Sequence, residues 1–130
     1  MIVNFMKCIV IAGFLGVVSG CVNGVPIQPL HSSISTVVPS DRVKTAILKA
    51  GREREWAMTV TAPGVITGQF QTRDHVVVIR ITYSGTDYTI DYVSSKNMNE
   101  KDGMIHKKYN SWIRSLDKEI QLNLADNRNS

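Results

Sequence analysis

His75-Val76-Val77-Val78-Ile79-Arg80-Ile81-Thr82-Tyr83 is the stretch on which the fold turns. β-Branched residues fill most of it. They are stiff at χ1, sit poorly in a helix and suit a pleated surface, so this density predicts a central strand. Upstream, Thr72-Arg73-Asp74 reads as a reversal. Before it, Ile66, Gly68 and Phe70 alternate with Thr67 and Gln69, the period of a strand with one buried face. Ala62-Pro63-Gly64 is a turn, because Pro presets φ and Gly supplies φ > 0. Trp56, Met58 and Val60 alternate with Ala57, Thr59 and Thr61 in a further strand. Downstream, Ser84 to Asp87 turns the chain, and Tyr88, Ile90 and Tyr92 alternate with Thr89, Asp91 and Val93. Four strands on short loops predict an antiparallel meander.

The period changes on either side of the meander. After Pro39, with Ser40 or Asp41 placed to cap a first turn, Val43, Ala46, Ile47 and Ala50 form one apolar stripe, and Gly51 marks its C-terminal end. Ser94 to Gly103 reads as a polar loop. Beyond it Ile105, Tyr109, Trp112, Ile113, Leu116, Ile120 and Leu124 trace the stripe of a long amphipathic helix. The predicted class is α+β: a helix, a four-stranded antiparallel meander and a long C-terminal helix, with both helices packed on one face of the sheet. This domain spans residues 40–125, and residues 126–130 are a fraying tail.

The chain has 130 residues, 43% of them hydrophobic and 20% charged, with two cysteines. Two cysteines make no disulfide scaffold, and no clustered Cys/His spacing suggests a metal site. There is no Walker loop, GxGxxG, HExxH or GxSxG, so nucleotide binding, zinc hydrolysis and nucleophile-elbow chemistry lack their signatures. No catalytic, metal or cofactor residue is assigned. His75 and His106 read as surface or half-buried residues, the latter in the first turn of the last helix. Asp87, Asp91, Glu100 and Asp102 are taken to gather at one end of the fourth strand and its loop. They read as a solvated acidic loop, or as the carboxylates of a glycan hydrolase. The aromatics Trp56, Tyr83, Tyr88, Tyr92, Tyr109 and Trp112 read as sheet–helix core. The sharper reading is an aromatic groove that receives a peptide or glycan strand, with Tyr109, Asn110 and Trp112 as the candidate partner-contacting residues.

Residues 1–20 stand apart. Lys7 is their only charge and no charge falls between Cys8 and Val18, a pattern that fits a secretory signal peptide and is short for a membrane span. The alternative is an uncleaved anchor or a buried N-terminal helix. Val18-Ser19-Gly20-Cys21 resembles the bacterial lipobox, an aliphatic residue and two small residues before a cysteine. The resemblance implies cleavage before Cys21, a diacylglyceryl thioether on its sulfur and an acylated amino group. Two or more chains anchor a protein stably where one does not. Cleavage removes Cys8, so no disulfide is expected, and it removes Lys7, which lowers the formal charge of +4 by one. So mild a charge argues against nucleic acid. Val22, in place of the Asp that retains enterobacterial-type lipoproteins at the inner membrane, favours the outer membrane, and the expected face is separately taken as the periplasmic one. Residues 21–39 are the lipidated cysteine and a flexible tether rich in Pro, Ser and Thr, which would hold the domain about 25 Å from the lipid. The alternative is that Ile34 to Val38 adds an edge strand.

Trp56 with Pro63-Gly64, the strand His75–Tyr83, Tyr88-x-Ile90-x-Tyr92, Ser94-Ser95-x-Asn97 and Tyr109-Asn110-x-Trp112-Ile113 together resemble a family of small, uncharacterised Gram-negative lipoproteins. Its members carry a lipobox, a W…PG turn, an I-x-Y strand, a [DS]S-x-N loop and a Y-N-x-W helix. The resemblance covers residues 43–122. It implies a location and a fold, with no activity and no catalytic residues. The expected role is therefore a non-enzymatic binding or assembly lipoprotein, held in the membrane by lipid and meeting a protein of the envelope. The alternatives are a small hydrolase or inhibitor of cell-wall glycan, with the acidic loop as its site, and an accessory lipoprotein of a secretion or conjugation machine.

Overall fold

The computed structural model describes residues 24–126. The expected signal sequence, Cys21 and residues 127–130 of the expected tail lie outside the described residues. In chain order the elements are β1 (Gly24–Pro26), β2 (Leu30–Ser33), α1 (Ser40–Glu53), β3 (Ala57–Ala62), β4 (Val65–Thr72), β5 (His75–Tyr83), β6 (Asp87–Lys96), β7 (Met104–His106) and α2 (Lys108–Ala125). The class is α+β, with two helices, a five-stranded antiparallel sheet in the order β2-β6-β5-β4-β3 and a two-stranded sheet of β1 and β7. The predicted meander is β3 to β6 of the larger sheet. β5 lies within it, paired along its length with β4 and β6.

Alternation along the strands puts Ile66, Val77, Ile79, Ile81, Tyr88 and Ile90 into the interior, where they form one cluster with Val43, Ile47 and Ala50 of α1 and Tyr109, Ile113, Leu116 and Ile120 of α2. Burying each such aliphatic side chain contributes about 1.5–3 kcal/mol. The two helices also meet each other. Arg54, just past α1, pairs with Glu119 of α2 at 3.2 Å, and the Asn123 amide donates to the Ala46 carbonyl at 3.3 Å. Where β5 meets β6 the register shifts between Val78 and Ile79, whose partners are Ser94 and Tyr92. Val93 is the extra residue of this bulge.

Within residues 24–38 the expected flexible tether is corrected. β1 pairs with β7, and β2 pairs with β6 in the register Leu30↔Ile90, His31↔Thr89, Ser32↔Tyr88, Ser33↔Asp87. An edge strand is added, but at Leu30–Ser33 and not at the weighed Ile34–Val38, which is not a strand. The cause is physical. Without β2, the edge of β6 would present unpaired backbone groups beside a buried core. Val25, Ile27, Leu30, Ile34 and Val38 supply apolar side chains that pack on that core. Pro26 and Pro29 fall at strand ends, where a missing N–H is tolerated. Ile34 N–H and Val38 N–H then bond to Thr86 O (2.8 Å) and Gly85 O (3.2 Å).

Three local boundaries also move. Neither Ser40 nor Asp41 caps α1: the N-cap is Pro39, with no side-chain bond. Gly51 does not end that helix, which continues to Glu53; the residue is instead where Met58 packs against α1, leaving no room for a Cβ. Ile105 and His106 belong to β7 rather than to the last helix, which starts at Lys108. The predicted polar loop is largely ordered. β6 reaches Lys96, Met98 is buried, Lys101 and Met104 bridge, and His106 N–H donates to Met98 O at 2.8 Å.

Candidate functional site

A row of four rings crosses the end of the molecule where α2 begins. Trp56 sits at the entry to β3, its backbone N–H donating to Gly51 O at 2.8 Å. Phe70 points inward from β4, His75 opens β5, and Trp112 comes from the first turns of α2. Successive ring centroids are 5.1 Å apart for Trp56 and Phe70, 4.8 Å for Phe70 and Trp112, and 6.4 Å for Trp112 and His75. All the faces are tilted, an arrangement the ring quadrupoles favour over flat stacking. Trp56 is buried, while Phe70, Trp112 and His75 are half-buried.

Trp112 and Phe70 wall two depressions. One, of about 280 Å³, is bordered by Glu53, Arg54, Glu55 and Trp56. The other, of about 410 Å³, is bordered by Thr72, Arg73, His75 and Lys108. Their charges differ in sign. At the first, Arg54 is tied to Glu119, and the Glu53 and Glu55 carboxylates remain. At the second, Arg73 and Lys108 face solvent. There the His75 ring donates from Nδ1 to Asn97 O at 2.7 Å, with its Nε2 4.0 Å from the Asp74 carboxylate.

Of the motif residues of the sequence, some reach this row and others pair away from it. Tyr92 OH and Ser95 Oγ share a hydrogen bond of 2.7 Å. Asn97 Nδ2 donates to Asp74 O at 2.6 Å. Tyr109 stands edge-on to Tyr92 at 5.7 Å. Of the three candidate contact residues, Trp112 lies on the row. Tyr109 does not: it is 1% exposed, so it is core rather than a contact surface. Its hydroxyl is buried without a hydrogen-bond partner, and burial pushes its pKa well above the ordinary phenol value. Asn110 is half-buried and does not border the row, and its N–H closes the first helical turn on Lys107 O at 3.1 Å. Phe70, Arg73, His75 and Lys108 went unassigned in the sequence. A signal existed for one of them: Arg73 occupies a tight turn that asks for Gly, Asn or Asp.

The expected acidic gathering is corrected. Asp87 opens β6 and accepts from Ser84 Oγ at 3.0 Å, whereas Glu100 and Asp102 follow the far end of that ten-residue strand. A strand of that length separates them by roughly 30 Å, so Asp87 is not gathered with Glu100 and Asp102. A different carboxylate is well partnered. Asp117 Oδ1 accepts from Tyr88 OH (2.5 Å) and Ser32 Oγ (2.8 Å), and Gln121 Nε2 donates to Tyr88 OH (2.9 Å). This network fastens β2 to α2. Among the described residues no group of three His, Cys, Asp or Glu is placed to hold a metal, and no helix is long and apolar enough to cross a membrane. No protein-family model matches the chain, and the search of curated proteins found no significant match.

Proposed function

We propose that the chain is a lipoprotein of the Gram-negative cell envelope, anchored at the outer membrane through lipid on Cys21. There it serves as a non-enzymatic binding or assembly module for a partner protein. The anchor is supported by Val18-Ser19-Gly20-Cys21 standing directly after a positive n-region and an uncharged apolar run. Val22 favours the outer membrane, and the face proposed is the periplasmic one. The binding role is carried by Trp112, a large aromatic left half-buried between two depressions of opposite charge. Aromatic side chains of this kind anchor many protein–protein contacts.

Two measurements test the two halves. Radiolabelled palmitate should enter the protein, and Cys21→Ser should abolish labelling and leave the precursor uncleaved. Labelling of the Cys21→Ser protein defeats the anchor. A photo-crosslinking residue at Ser115, which borders the row, should trap an envelope protein in growing cells. Recovery of peptidoglycan alone would favour the glycan-directed alternative, and recovery of a secretion or conjugation component would name the machine served.

A further inference from the structure

We infer that the aromatic row is a groove for an extended polypeptide segment of mixed charge. The segment's acidic residues lie against Arg73 and Lys108, its apolar side chain lies on Phe70 and Trp112, and its basic residues lie toward Glu53 and Glu55. The inference rests on the binding-module reading and names the chemistry of its partner.

The first support is spacing. Neighbouring rings of the row are 4.8–6.4 Å apart. An extended chain presents same-face side chains every roughly 6.6–6.8 Å, longer than the step between rings, so one apolar side chain seats on the Phe70–Trp112 pair and its same-face neighbours overstep the rings to reach the charged borders. The second support is polarity. One depression is bordered by Glu53 and Glu55 and the other by Arg73 and Lys108, with Trp112 between them. Asp74 offsets one of the two formal charges of Arg73 and Lys108 and leaves this end cationic. A neutral glycan would use the rings and neither charged end, whereas a polypeptide with opposite charges uses all three parts.

The third support is that the charged rim is built against local preference. β4 and β5 are joined by the two residues Arg73 and Asp74, and Arg73 has φ 56°. Turns of this length take Gly, Asn or Asp at left-handed positions, because a long side chain is strained there. Glu55, at the opposite end of the row, has φ 66° just past α1, where glycine is the usual residue. Of the five non-glycine residues at positive φ among the described residues, the other three are Asn or Asp. Lys108 stands in the first turn of α2, which has no acidic residue, and the helix macrodipole disfavours a cation there. Folding alone would place other residues at all three positions, and all three border the same row.

The test uses the full chain purified in detergent and fluorescein-labelled peptides read by anisotropy. Lys-Lys-Gly-Tyr-Gly-Glu-Glu should bind, and binding should weaken with salt. Ser-Ser-Gly-Tyr-Gly-Ser-Ser should bind at least tenfold more weakly. Arg73→Gly combined with Lys108→Gln should weaken the charged peptide at least tenfold while the melting temperature holds or rises, which separates a lost contact from a lost fold. Equal binding of the two peptides, or an unchanged affinity in the double variant, overturns the inference. So does charge-independent binding of an N-acetylglucosamine oligomer at the row. Cross-linking at Ser115 to an envelope protein, with no charge preference among the peptides, overturns the inference and leaves the binding-module reading standing. Neither cross-link nor peptide binding overturns both.

Discussion

Two buried phenols show how differently the same group weighs in one core. Tyr88 OH donates to Asp117 and accepts from Gln121, whereas Tyr109 OH is buried without a partner. Leaving a buried polar group unpaired costs about 1–3 kcal/mol. Tyr109→Phe should therefore raise the stability measured by urea unfolding by about 1 kcal/mol, and Tyr88→Phe should lower it by about 1–3 kcal/mol. Both phenols have pKa values pushed up, by burial first and, at Tyr88, by Asp117 next. Below the unfolded value, about 10, both are neutral in either state and stability is whole. Above it the unfolded chain releases protons that the folded chain retains, so stability falls as pH rises past about 10. Tyr109→Phe should lose less stability than wild type between pH 7 and pH 11. Equal losses would contradict the burial of that hydroxyl. Arg73→Gly exchanges a left-handed strain of roughly 1–2 kcal/mol for the entropy cost of glycine, a net gain of about 0.5–1 kcal/mol.

At the scale of elements, Gly85 shows what holds the N-terminal strands in place. A Cβ there would collide with the Val38 carbonyl oxygen. Gly85→Ala should lift residues 34–38 from the sheet, speeding hydrogen exchange at Ile34 and Val38 while β5 stays protected. Trp112→Ala should cost about 2 kcal/mol, less than the 3–5 kcal/mol of a fully buried aromatic, because the indole is half-buried. What was legible in the sequence was what repeated. The stripe of Val43, Ala46, Ile47 and Ala50 and the alternation of β3 to β6 extend over enough residues to show a period. β2 has four residues, Leu30–Ser33, too few for any period, and Val25, Ile27, Leu30, Ile34 and Val38 are unevenly spaced. Ile105 misled for the opposite reason: it precedes Tyr109 by four residues and so falls in helical phase by coincidence, although it lies on a strand. Of the site, Trp112 was legible from its stripe. Arg73 and Lys108 were not, since a charged residue in a turn or at a helix end looks like solvated surface until the rings beside it are seen.

For the whole molecule, the pairing of Gly24 with His106 changes what an acyl anchor would do. Between Cys21 and Gly24 the backbone reaches at most roughly 11 Å even when drawn taut. With lipid on Cys21, a domain on such a leash would stay at the bilayer surface, free to drift sideways and barred from rising toward the cell wall. Neutron reflectometry of the acylated protein on a supported bilayer should find protein density beginning at the headgroups, with no hydrated gap of about 25 Å such as a slack linker would leave. A partner held in the same membrane would then meet it by a search in two dimensions, which lets a weak contact suffice where a soluble protein would need a tight one.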